Sequence, residues 1–117
     1  MGHDREHLVA AARDTLMNIA ALSGTAAKHV RPGHSLVVDL GLGESELAVL
    51  ANYQNDLGGR LRHDGRPTSI DADDLIDCMV LDVLGLILER ALSLKLEESE
   101  LVALIMASRA ELRGPPR

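Results

Sequence analysis

Between residues 74 and 92 the chain reads as a helix that is apolar almost all the way round. Only a narrow stripe is polar or small: Asp74, Cys78, Asp82, Gly85 and Glu89. Apart from Asp77 and Arg90, every other position is Leu, Ile, Val, Met or Ala. Such a helix must be covered on most of its circumference. The chain therefore has to build a helical bundle around it or borrow cover from a second copy. The expected cover is the amphipathic segment 97–112, with Leu101, Leu104, Ile105 and Leu112 on one side. A turn at 93–96 would join the two. One continuous helix over 71–112 is the alternative, and it would demand a partner chain.

Composition decides what fills that bundle. Among 117 residues there is no Phe, no Trp and a single Tyr53, so the core must be aliphatic. Base-stacking platforms and aromatic cages are thereby excluded. Twelve Lys and Arg against 18 Asp and Glu give a net charge of −6, which disfavours nucleic acid as a partner. The lone Cys78 forms no internal disulfide and points to a reducing compartment, hence a cytoplasmic protein. The longest apolar stretch, 78–88, is interrupted by Asp82 and too short to span a bilayer, so no membrane is expected as a partner.

The helical period dominates elsewhere too. A first helix over 4–22 places Leu8, Ala12, Thr15, Ile19 and Leu22 on one face. A long loop follows, punctuated by Pro32-Gly33, in which Val30, Leu36, Val37, Val38 and Leu40 should be pinned onto the core. The second helix starts with Gly43 as N-cap, Leu42 and Leu47 as a hydrophobic staple, and Glu46 as the capping-box acid. Leu47, Leu50, Tyr53 or Gln54, and Leu57 face inward, and Gly58-Gly59 should stop the helix. The third begins at Asp71 with Ile70 and Leu75 as staple and Asp74 as capping acid, and should run to about residue 92. The expectation is one all-α domain over 1–117: a bundle over 4–92, an additional helix over 93–112 and a tail at 113–117.

Sites for chemistry are scarce. His3 and His7 share i,i+4 spacing, His29 and His34 flank a turn, and His63 stands alone; none follows a known ligand grammar, so no metal is expected. Asp71, Asp73, Asp74 and Asp77 read as acids at a helix N-terminus. Arg60, Arg62 and Arg66 read as a solvated basic loop. Gly41-Leu42-Gly43 lacks the strand and third glycine of a dinucleotide site. No serine lies in a nucleophile elbow. No catalytic residue is assigned, and the chain is not expected to be an enzyme.

One stretch carries more. From Val30-Arg31-Pro32 through Asp39-Leu40-Gly41-Leu42, the chain resembles the loop of acyl carrier proteins that leads to their modified serine. Glu46-Leu47 to Leu57-Gly58 is similar to the family's second helix, with Leu57 in place of its closing aromatic. Thr68-Ser69-Ile70-Asp71 resembles the entry to its last helix. The likeness covers roughly residues 5–92. It implies a small helical bundle whose serine carries 4′-phosphopantetheine and whose acidic second helix docks onto basic patches of biosynthetic enzymes. The pattern departs at the serine itself. Without a gap, the family's Asp-Ser-Leu falls on Gly43-Glu44-Ser45, so Glu44 holds the serine position. Ser45 is a conditional attachment point, requiring one inserted residue. Asp39, Glu44 and Glu46 are the expected partner-binding surface. The alternative is an unmodified adaptor or dimerisation module, associating through its C-terminal helices.

Overall fold

The protein is an all-α bundle. Its computed structural model describes residues 4–112; His3, the expected tail at 113–117 and the Leu112 side chain lie outside what is described. Helix α1 spans Arg5–Ser23, followed by a 3-10 turn at Ala27–His29. Then come α2 (Glu44–Arg62), a single turn α3 (Ala72–Leu75), α4 (Val80–Leu92) and α5 (Glu98–Leu112). The Cα radius of gyration, 13.2 Å, matches the roughly 13.4 Å expected for a compact chain of this length. α5 is therefore folded onto the bundle rather than extended from it.

The local caps form as their residues dictate. The Gly43 amide donates to Glu46 Oε1 at 2.8 Å, and the Asp71 amide to Asp74 Oδ2 at 2.9 Å. Leu42, Leu47, Ile70 and Leu75 are all buried, as staples should be. The segment after the first helix also behaves as a loop, but its apolar residues divide. Val30, Leu36 and Leu40 are buried, whereas Val37 and Val38 are 38% and 83% exposed.

Two of the expected helix boundaries need correction. The helix from Asp71 does not run to residue 92: it breaks after Leu75 and restarts at Val80. The cause is the distant segment 32–36, which takes the hydrogen bonds a continuous helix would need. The amides of Val80 and Leu81 donate to the carbonyls of His34 and Pro32, both at 3.0 Å, and the Leu36 amide donates to the Cys78 carbonyl at 3.1 Å. Asp82 then caps the new helix by accepting from the Met79 amide at 2.9 Å. Nor does Gly58-Gly59 stop α2, which continues to Arg62. A Cβ on Gly58 would lie 2.4 Å from Thr68 Cγ2, and one on Gly59 would lie 3.0 Å from the Arg66 carbonyl oxygen. These glycines let the returning chain 65–68 lie directly against the helix.

Asn55 fixes that return. Its Oδ1 accepts from Thr68 Oγ1 at 2.8 Å and from the Ile70 amide at 2.7 Å, while its Nδ2 donates to the Ile70 carbonyl at 2.9 Å. At the two positions just before it, the choice between Tyr53 and Gln54 falls on the polar residue. Gln54 is fully buried and Tyr53 is 41% exposed. Gln54 donates to Thr15 Oγ1 at 3.1 Å and accepts from Asn18 Nδ2 at 2.9 Å, so its amide is satisfied between α1 and α2.

α5 is not the main cover of α4. It packs most extensively along α1, while α4 lies chiefly against α2 and takes further cover from α1 and α5. Gly85 admits Leu101 to close range: a Cβ there would meet Leu101 Cδ1 at 3.1 Å. A continuous 71–112 helix is also ruled out. Ser93, in the left-handed region at φ 53°, terminates α4, and Glu100 caps α5 through the Glu97 amide. The apolar face that seemed to call for a second copy, including Val83, Leu84, Ile87 and Leu88, is buried within the chain itself.

Candidate functional site at the start of the second helix

The turn 35–39 is held by its own side chains. Asp39 Oδ2 accepts from the Ser35 amide at 2.7 Å, and Ser35 Oγ accepts from the Val38 amide at 3.1 Å. Asp39-Leu40-Gly41-Leu42 then delivers the chain to α2. Leu40 and Leu42 are buried anchors, and between them Gly41 takes φ +68°, a conformation that favours glycine. Gly43 is the N-cap, so Glu44 is the first helical residue and Ser45 the second.

The three expected partner-binding acids therefore differ in role. Asp39 is exposed but engaged in its own turn, and Glu46 is engaged in the cap. Glu44 is exposed, with no hydrogen bond or ion pair among the described residues. It also lines a groove of about 360 Å³ whose walls include Val37, Leu42, Leu47, Asp73 and Ile76. Ile76 is 52% exposed, so with Val37 it leaves an apolar surface beside Glu44. Ser45 is exposed and does not line the groove. Successive helical residues point about 100° apart, so a one-residue register shift separates groove from open surface.

The other candidates are structural. Asp74 also meets Arg90 Nη1 at 3.2 Å, and its carboxyl is held below the ordinary range first by the Asp71 amide and then by Arg90. Burial, reinforced by Asp82, Asp74 and Asp77, pushes the Cys78 thiol up to about 11, so at neutral pH it is a protonated, poor nucleophile. Arg62 donates to the carbonyls of Arg66 and Pro67 and clasps its own loop. His34 accepts the Arg31 amide on Nδ1 at 3.0 Å. Among the described residues, no three His, Cys, Asp or Glu gather closely enough to hold a metal, and no helix is long and apolar enough to cross a membrane.

Sequence spacing did not disclose two arrangements. Asn55 holds Ile70 at the entry to α3, from which Asp73 lines the groove. His7 and His63, 56 residues apart in the chain, bring their rings together with centroids 5.7 Å apart. Comparison with protein-family models, curated proteins and solved structures finds no match for this chain.

Proposed function

We propose that the protein is a carrier-like binding protein, not an enzyme, that works by presenting the start of α2 and the neighbouring α3 turn to biosynthetic enzymes. In this reading it carries no pantetheine arm. The observation that supports it most directly is the register at Gly43: the N-cap makes Glu44 the residue at the groove, where the ungapped resemblance to acyl carrier proteins puts the modified serine. The surrounding chemistry suits a protein partner. Val37 and Ile76 offer apolar contact, while Glu44 and Asp73 favour a basic rim on the other side.

Co-expression with a broad-specificity phosphopantetheinyl transferase, followed by intact-mass measurement, tests both parts. The native chain should stay unmodified. A triple variant, Gly43→Asp, Glu44→Ser and Ser45→Leu, restores the family motif in the ungapped register and should accept the arm. Addition to the native chain that disappears in Ser45→Ala would instead establish an active carrier with Ser45 as its attachment point. A folded triple variant that several transferases leave untouched would sink the carrier-like reading.

A further inference from the structure

The side of α2 turned away from the core carries one stripe at alternating spacings of three and four: Glu46, Val49, Tyr53, Asp56 and Arg60. Seams between paired helices use this spacing. Glu46 is half-buried and the other four are exposed. At the middle of the stripe, Val49 and Tyr53 are 37% and 41% exposed. Tyr53 is the chain's one aromatic residue, and tyrosine is among the side chains that anchor protein interfaces. The two ends of the stripe carry opposite charge. Glu46 and Arg60 each lie seven residues from Tyr53, about two helical turns, in opposite directions. Glu46 gives only Oε1 to the Gly43 amide. The Arg60 side chain has no hydrogen bond or ion pair among the described residues.

We infer that this face is a self-association surface, pairing α2 with the antiparallel α2 of a second copy, with Tyr53 on the two-fold axis. A two-fold interface sets one patch against itself, so the patch must be complementary to itself. With the axis at Tyr53 it is: each Glu46 lies level with the second copy's Arg60, at both ends, and Val49 and Tyr53 of both chains fill the centre. Parallel pairing fails, because it sets Glu46 on Glu46 and Arg60 on Arg60. Asp56 and Asn52 share one flank of the stripe, which the two-fold places against the same flank of the second copy, so the carboxylate meets an amide donor there. A single helix seam about 21 Å long buries less than the roughly 800 Å² per partner of a standard interface, so the dimer is reversible rather than obligate. This surface is independent of the function proposed for the groove. Successive helical residues turn by about 100°, which puts Glu44 and Tyr53 on opposite sides of α2 and leaves the groove open in the dimer.

Sedimentation equilibrium of the full chain, from micromolar to millimolar protein at neutral pH, should show a monomer–dimer equilibrium that weakens as salt is added. Tyr53→Ala and Arg60→Glu should each raise the dimer Kd about tenfold or more, with helicity unchanged by circular dichroism. Glu46→Gln keeps the capping acceptor and should weaken the dimer severalfold. In the Arg60→Glu background the same Glu46→Gln change should instead tighten the dimer, because it removes the carboxylate that faces the introduced one. Met106→Asp, on the exposed side of α5, should leave the Kd as it was. A chain that stays monomeric throughout that range overturns the proposal. So does a dimer that Met106→Asp disrupts while Tyr53→Ala and Arg60→Glu leave it intact. Weakening by Glu46→Gln in both backgrounds alike would refute the antiparallel register.

Discussion

Gly58→Ala offers a test in which the sign of the effect decides between two accounts of the second helix. In an unobstructed helix interior, Ala is more favourable than Gly by about 1 kcal/mol. Position 58 is obstructed: the new Cβ would lie 2.4 Å from Thr68 Cγ2 and 2.7 Å from Thr68 Oγ1. Thr68 has little freedom to withdraw. It is buried, its hydroxyl donates to Asn55 Oδ1 at 2.8 Å, and its amide donates to the Asn55 carbonyl at 3.2 Å. Overpacking of this kind costs about 1–3 kcal/mol. Displacing the hydroxyl sacrifices a further hydrogen bond worth about 0.5–1.5 kcal/mol. Those costs outweigh the propensity gain, leaving a net loss of about 1–3 kcal/mol.

Urea unfolding followed by circular dichroism measures this loss as a lowered midpoint at unchanged slope. Thr68→Ala in the same chain removes the two nearest obstructing atoms. The double variant should therefore be less destabilised than the two single changes predict when added, giving a coupling of about 1 kcal/mol or more. A Gly58→Ala variant that is more stable than the native chain would refute the close approach. It would mean that the chain 65–68 does not lie against α2, and the Asn55 clamp would fall with it.

Two further perturbations probe the α1–α2 seam and the α3 cap. Gln54→Leu should destabilise by about 1–3 kcal/mol, because it strips Thr15 and Asn18 of their buried partner; adding Thr15→Val should recover part of that loss, and failure to recover any would show that the hydroxyl is not desolvated. Asp74 titrates below its ordinary 3.8 in the folded chain, so its contribution to stability is complete above that unfolded value and is lost as pH falls through the folded one. Arg90→Gln should move the Asp74 carboxyl titration, followed by NMR, back toward the ordinary value without reaching it, since the Asp71 amide remains; an unmoved titration would remove Arg90 as a cause.

What the sequence reveals and what it conceals separate by distance along the chain. The caps at Gly43 and Asp71 are set by residues three or four apart, and they form as those residues dictate. The break between α3 and α4 is invisible locally, because the run from Ile76 to Leu88 has good helical periodicity. It exists because carbonyls of Pro32 and His34, more than 40 residues earlier, accept the amides of Leu81 and Val80. Gly58-Gly59 misleads for a similar reason. Two glycines signal helix termination in isolation, but here their missing side chains make room for Thr68 and Arg66. Tyr53 and Gln54 are nearly equivalent by periodicity, and hydrophobicity alone favours the tyrosine. The hydroxyl of Thr15 and the amide of Asn18 on α1 make the buried glutamine acceptable, and neither is legible from α2 alone.

The same distinction bears on the site. The caps that sequence predicts well also fix the register at Glu44, where carrier chemistry would need a serine. A helix N-terminus favours negative charge over its first turn. Under the carrier-like reading, the phosphate of a pantetheine arm would bring that charge only after modification, whereas the Glu44 carboxylate supplies it permanently. Replacing Ser by Glu at this point would remove the swinging thiol while keeping an anion at the positive end of α2. The neighbouring Val37 and Ile76 remain exposed even though the rest of the chain has buried enough aliphatic surface to cover most of α4. Under that same reading, an apolar surface left open beside a fixed charge is retained for contact.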